Sequence, residues 1–155
     1  MKKSVEKQEL SIVDDYIRLT HEYQSKYGDR TVILMQVGVF FEIYGLKMGD
    51  GSISPKTPIE EFSSICNLNI AEKKIMAGGA QVMMAGFRDY SLDKYLTKLT
   101  ESGYTAAVYV QEKDDKSKSG IKRIFHSIYS PGTHISCETD TSTKITNHIM
   151  CIWID

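Results

Sequence analysis

The sequence predicts an α+β fold, a mixed β-sheet flanked by helices. Three observations carry that expectation. The run from Val32 to Leu46 is rich in the β-branched and aromatic residues that suit a pleated surface, and Gly38 interrupts it near its middle. Gly78-Gly79 marks a second hairpin between two further strand-like runs. Apolar residues at helical spacing stand before and after these hairpins, so helices and strands interleave.

Taken in order, residues 1–10 form a charged stretch expected to be a flexible arm. Ser11 is placed to cap a helix whose third residue is Asp14, a near-miss of the capping box. Ile12, Tyr16, Leu19 and Tyr23 then recur at helical spacing, and Gly28 follows as a stop. Residues 32–37 and 39–44 read as two strands joined at Gly38.

Alternation divides the second strand into two faces. Val39, Phe41 and Ile43 make an ordinary core face. Phe40, Glu42 and Tyr44 make the other, with a carboxylate between two rings. A carboxylate is costly to bury without partners, so this face is expected to be at least partly open. It is either a contact surface or a solvent face that carries aromatics.

Residues 47–57 read as a surface loop. Gly49-Asp50-Gly51-Ser52 lacks the G-x-x-x-x-G-K-S/T pattern of a phosphate-binding loop and reads as a turn. Thr57 and Glu60 form a capping box with Pro58 at the first helical position, opening a short helix through about Cys66. Residues 70–87 hold two strands around Gly78-Gly79. Ser91 caps the next helix, with Leu92, Tyr95, Leu96 and Leu99 as its stripe and Gly103 as its stop. Residues 104–111 alternate as a strand, 114–120 are a polar loop, and 121–130 are another strand ended by Pro131-Gly132. Residues 137–147 read as a linker, and the apolar run 148–155 as a strand without a following partner. Expected core residues are Ile33, Met35, Phe41, Ile43, Leu96, Leu99, Val108 and Val110.

A chain of 155 residues suits one domain with a real core, here residues 11–136. Charged residues are 25% and hydrophobic ones 41%, an ordinary globular mix. The net charge of −1 gives no general pull toward nucleic acid, so any such contact must be local. Cys66, Cys137 and Cys151 show no C-x-x-C spacing, and an odd count argues against a disulfide framework; an intracellular, reducing setting is expected. No apolar run reaches membrane-spanning length and the first ten residues lack a signal-peptide core, so no membrane partner is expected.

Catalytic signatures are missing from the sequence. His21, His126, His134 and His148 share no metal spacing, and His134 with Cys137 supplies only two ligands. No GxSxG, HExxH or Walker pattern occurs. The chain is expected not to be an enzyme and to hold no cofactor or metal.

Gly38-Val39-Phe40-Phe41-Glu42 resembles the Gly-x-Phe-x-Glu element in the amino-terminal mismatch-binding domain of the MutS family. The likeness continues in order along the chain. Residues 16–27 are similar to the family's opening helix, and Met84-Ala85-Gly86-Phe87 resembles its Met-Ala-Gly-Ile segment. Tyr95-Leu96-Thr97-Lys98-Leu99, followed by Gly103, resembles its Tyr-Leu-x-Lys-Leu helix and glycine stop. Val110-Gln111-Glu112 is similar to its Glu-Gln strand end, and Ser130-Pro131-Gly132-Thr133 to its Thr-Pro-Gly-Thr. Two departures stand beside the motif. Many members carry Arg-Met-Gly-Asp where this chain has Gln36-Val37-Gly38-Val39, and the middle Tyr of Phe-Tyr-Glu is Phe41.

The resemblance implies a module that binds double-stranded DNA containing mispairs or small loops. Phe40 would enter the minor groove and stack on a mispaired base, and Glu42 would hydrogen-bond that base, with Gly38 shaping the hairpin. Lys73, Lys74 and Arg88 stand as candidates for phosphate contact or as solvated surface. The resemblance also implies that residues 148–155 open a following connector domain, so the chain is expected to be a fragment. Further MutS domains would be its partners, in a homodimer or heterodimer. ATP and Mg would belong to the ATPase domain of full-length members. The alternative is a MutS-like domain used for protein interaction or branched DNA without mismatch reading, which burial of Phe40 would favour. A nucleotide-handling enzyme would instead need a clustered polar pocket.

Overall fold

The computed structural model describes residues 2–112, 121–134 and 150–154, with residues 2–9 described by backbone path only. One six-stranded mixed sheet forms the middle layer, in the order β3-β4-β2-β1-β5-β6. Its strands are β1 (Thr31–Val37), β2 (Phe40–Lys47), β3 (Ala71–Ala77), β4 (Ala80–Arg88), β5 (Thr105–Gln111) and β6 (Arg123–Tyr129). Only β1 and β5 run parallel; every other neighbouring pair is antiparallel. The expected α+β mixed sheet flanked by helices is therefore the observed fold.

Helices cover both faces. α1 (Lys2–Tyr27) packs on β1, β2 and β3, while α2 (Ile59–Cys66) packs on β2 and β4 and α3 (Leu92–Glu101) on β5. Adjacent residues of β2 show that α1 and α2 lie on opposite sides. Tyr44 meets Tyr16 of α1 edge to face, with ring centroids 5.2 Å apart. A Cβ on Gly45 would lie 2.6 Å from Ile59 of α2. β1 is sandwiched between the layers, which is why Thr31–Met35 is a buried run rather than an alternating one. On the α2 side Phe87 gathers Phe41, Phe62 and Tyr95, with centroid distances of 5.9, 6.4 and 4.2 Å.

Several local expectations are corrected. Ser11 is not a cap, because α1 already begins at Lys2 and runs through it. The Thr57–Glu60 capping box does not form: Pro58 sits at the cap position, and the Thr57 hydroxyl donates to the Ser54 carbonyl instead. Ser91 precedes α3 but makes no side-chain cap, since a 3-10 turn (Asp89–Ser91) leads into the helix. β2 continues past Tyr44 to Lys47, and β6 is shorter than the run 121–130. Of the expected core, Val110 is only half-buried; the other seven are buried. Residues 150–154 form no strand and are exposed. The expected loop 114–120 and linker 137–147, with Cys137 and His148, lie outside the described residues.

α2 ends as its sequence allows. Asn67 takes the left-handed conformation at φ 54°, and the Leu68 amide returns to the Ser63 carbonyl. Among the described residues no helix is long and apolar enough to cross a membrane.

Tyr16 carries the one buried side-chain polar atom without a hydrogen-bond partner among the described residues, its hydroxyl. An unpaired buried hydroxyl costs about 1–3 kcal/mol. Tyr16→Phe is therefore expected to raise stability by about 1 kcal/mol, read as an upward shift of the urea midpoint at unchanged slope.

Candidate nucleic-acid interface

The β1–β2 hairpin turns on two residues. Gly38 has φ +60° and Val39 does not have a positive φ. A glycine at the first position of a two-residue loop, with only that φ positive, is the type II′ arrangement. The turn therefore consumes Val39, which is 52% exposed rather than part of the core face. The Asp89 amide donates to the Val39 carbonyl at 3.0 Å, fastening the tip to the end of β4.

Phe40 is the first residue of β2 and is 39% exposed. It pairs across the sheet with Arg88, whose guanidinium carbon lies 5.4 Å from the ring centroid. The tip thus offers an apolar ring with a cation resting on it.

Glu42 follows on the same face, about 7 Å further along the strand. The expected openness of this face is corrected here: it is open only at Phe40. Glu42 is 9% exposed and Tyr44 is fully buried, because α1 covers this part of the sheet. The carboxylate is accommodated by two donors. The Tyr44 hydroxyl donates to Glu42 Oε2 at 2.6 Å, and Lys73 Nζ donates to the same oxygen at 3.0 Å. Lys73 also lies 5.1 Å from the centre of the Tyr44 ring. Burial first, and then the charge of Glu42, push the Tyr44 phenol well above its ordinary range, so it remains a donor at ordinary pH.

Two further residues complete the site, and sequence reasoning did not find their roles. Gly86 pairs directly with Glu42 across the β2–β4 ladder. A Cβ there would lie 2.6 Å from the Phe41 carbonyl oxygen and 3.3 Å from Glu42 Cα. Only glycine permits this approach. A glycine inside a strand pattern was the available signal. Arg123, at the start of β6, crosses toward the hairpin and donates through Nε to the Gln36 carbonyl at 2.7 Å. Burial lowers its pKa, opposed by the negative charge of Glu42 nearby. No sequence pattern links positions so far apart.

Of the expected site residues, the hairpin brings Gly38, Phe40 and Glu42 together, with Arg88 beside Phe40 and Lys73 beside Glu42. Lys74 is exposed on β3 and joins none of these contacts. His134 lies apart from this site, its Nε2 3.2 Å from Thr97 Oγ1 on α3. Among the described residues no three His, Cys, Asp or Glu side chains gather as metal ligands.

Comparison with known proteins adds a second line of evidence. Residues 59–138 match the family described as MutS domain I. The chain is 30% identical over 146 residues to the DNA mismatch repair protein MutS of Fusobacterium nucleatum, an alignment covering 93% of this chain and 14% of that protein. It is 29% identical over 133 residues to MutS of Thermosipho melanesiensis, covering 85% and 14%. It is 28% identical over 140 residues to the mitochondrial DNA mismatch repair protein mutS homolog of Sarcophyton glaucum, covering 77% and 14%. The chain spans about one seventh of the length of these relatives. The hairpin lies before the matched family segment, whereas Lys73, Lys74 and Arg88 lie within it.

Proposed function

The chain belongs to the MutS domain I family, and from that premise we propose that it reads mispairs in double-stranded DNA. Phe40 is the wedge and Glu42 the base-contacting carboxylate. The observation that carries this reading is the exposed Phe40 ring at a braced hairpin tip, one pleat from a held carboxylate.

The chemistry follows from what a duplex resists. Inserting a ring at a base step costs a few kcal/mol of unstacking. A mispair lowers that cost, because its pairing and stacking are already weakened and its step kinks more readily. Glu42 adds to the same bias: a carboxylate near phosphates is repelled by ordinary duplex and gains where a displaced base offers a donor. Arg88, already over the ring, and Lys74, exposed on β3, are proposed to meet phosphates and set the register without reading sequence.

The proposed partners are DNA with mispairs or small loops and the other domains of a MutS-type protein, as a homodimer or heterodimer inside the cell. The chain itself is read as a binding module, not an enzyme, and ATP with Mg is assigned to another domain of the family. The exposure of Phe40 weighs against a role in protein interaction alone.

Fluorescence anisotropy tests the reading, with one G·T duplex and its perfect match at low salt. Both this chain and a form extended through the domains that follow in its relatives are used. The expected result is a preference for the mispair of roughly tenfold or more, corresponding to about 1.4 kcal/mol of relieved unstacking. Equal affinity for the two duplexes would contradict it.

A further inference from the structure

We propose that Tyr44 and Lys73 are positioning residues for Glu42: both bind Oε2, leaving Oε1 as the acceptor presented beside Phe40. The inference rests on the mismatch-reading role of Glu42 and adds to it the means by which the carboxylate is aimed.

A glutamate at a strand surface ordinarily samples several rotamers, and one held for recognition must lose that freedom before binding. Here the restraint is built from two different directions. Tyr44 lies two residues along the same strand, fully buried, with its ring locked against Tyr16. Lys73 comes from β3, beyond β4, and its side chain is largely buried. Among the described residues, both hydrogen bonds to the carboxylate fall on Oε2. Gly86, directly opposite, removes the side chain that would otherwise crowd this position.

The pair also sets what Glu42 can recognise. A phenol and an ammonium both donate, so the carboxylate they hold is an acceptor. Oε1 then suits a displaced base that turns an N–H toward it. Lys73, a candidate from the sequence for phosphate contact or solvated surface, is here largely buried and paired with Glu42.

Binding of the G·T and matched duplexes by the full chain tests the proposal, comparing the unmodified protein with Tyr44→Phe and Lys73→Met. Tyr44→Phe keeps the ring and its packing while removing the donor. Its expected effect is a fall of about tenfold in affinity for the mispair, the scale of one hydrogen bond to a charged group, with matched-duplex affinity unchanged. Lys73→Met gives a second, independent removal, and Lys73→Arg is expected to restore the preference. In a Glu42→Gln background, Tyr44→Phe is expected to change nothing further, because its effect travels through the carboxylate. Full mispair affinity in both Tyr44→Phe and Lys73→Met, or an undiminished effect in the Glu42→Gln background, would overturn the positioning role. Failure of the unmodified chain to prefer the mispair is a separate outcome that overturns mismatch reading and this inference with it.

Discussion

Phe40→Ala is expected to abolish the preference for a mispair while leaving the fold and the affinity for matched duplex intact. The ring is exposed at the start of β2 and its recorded ring contact is with Arg88. Losing that contact costs about 0.5–1 kcal/mol, the range of an exposed cation–π pair. The thermal midpoint should therefore move little. Binding should change far more, because an anchor inserted into a desolvated site typically carries about 2 kcal/mol or more, roughly thirtyfold in affinity. Titration of the variant against both duplexes checks this. In the proposed reading matched duplex does not take up the ring, so its affinity should be the same for both proteins.

The largest expected effect on stability comes from Gly86→Ala. The added carbon would lie 2.6 Å from a backbone oxygen of β2 and 3.3 Å from Glu42 Cα. Neither atom is the movable end of a side chain, so two paired strands inside the sheet must separate. Overpacking of this kind costs about 1–3 kcal/mol, and the upper end is expected where backbone rather than side chain must give. Urea unfolding should show a lowered midpoint. The same displacement moves Glu42, so mismatch preference should weaken in the fraction that remains folded. A variant as stable as the unmodified protein would show that the β2–β4 spacing is softer than the register implies.

These two residues also show how far the sequence could be read. The place of Phe40 at a hairpin tip was legible, because Gly38 announces the turn and Phe40 stands two residues after it. The burial of Glu42 was not. Alternation assigns a residue to a face but does not say which faces are covered. The cover comes from α1, whose Tyr16 sits far from Tyr44 in sequence. A lone carboxylate would be costly to bury, but Tyr44 and Lys73 both donate to Glu42, and alternation does not reveal them as its partners. The start of α1 was hidden for a related reason. Residues 2–10 carry charges rather than an apolar stripe, and Ser11 offered a plausible cap further on. Thr57 failed as a cap because its hydroxyl found the Ser54 carbonyl. In each case a local signal was real and a competing contact decided the outcome.

In the proposed reading, the act of Phe40 is the opening of the base stack at a mispair. It is tested most directly with 2-aminopurine, a fluorescent adenine analogue quenched by stacking, placed beside a G·T mispair. Adding the protein is expected to raise the emission of this duplex and not of its matched counterpart, and Phe40→Ala to remove the rise. An equal rise in both duplexes, or one that persists in Phe40→Ala, would contradict it.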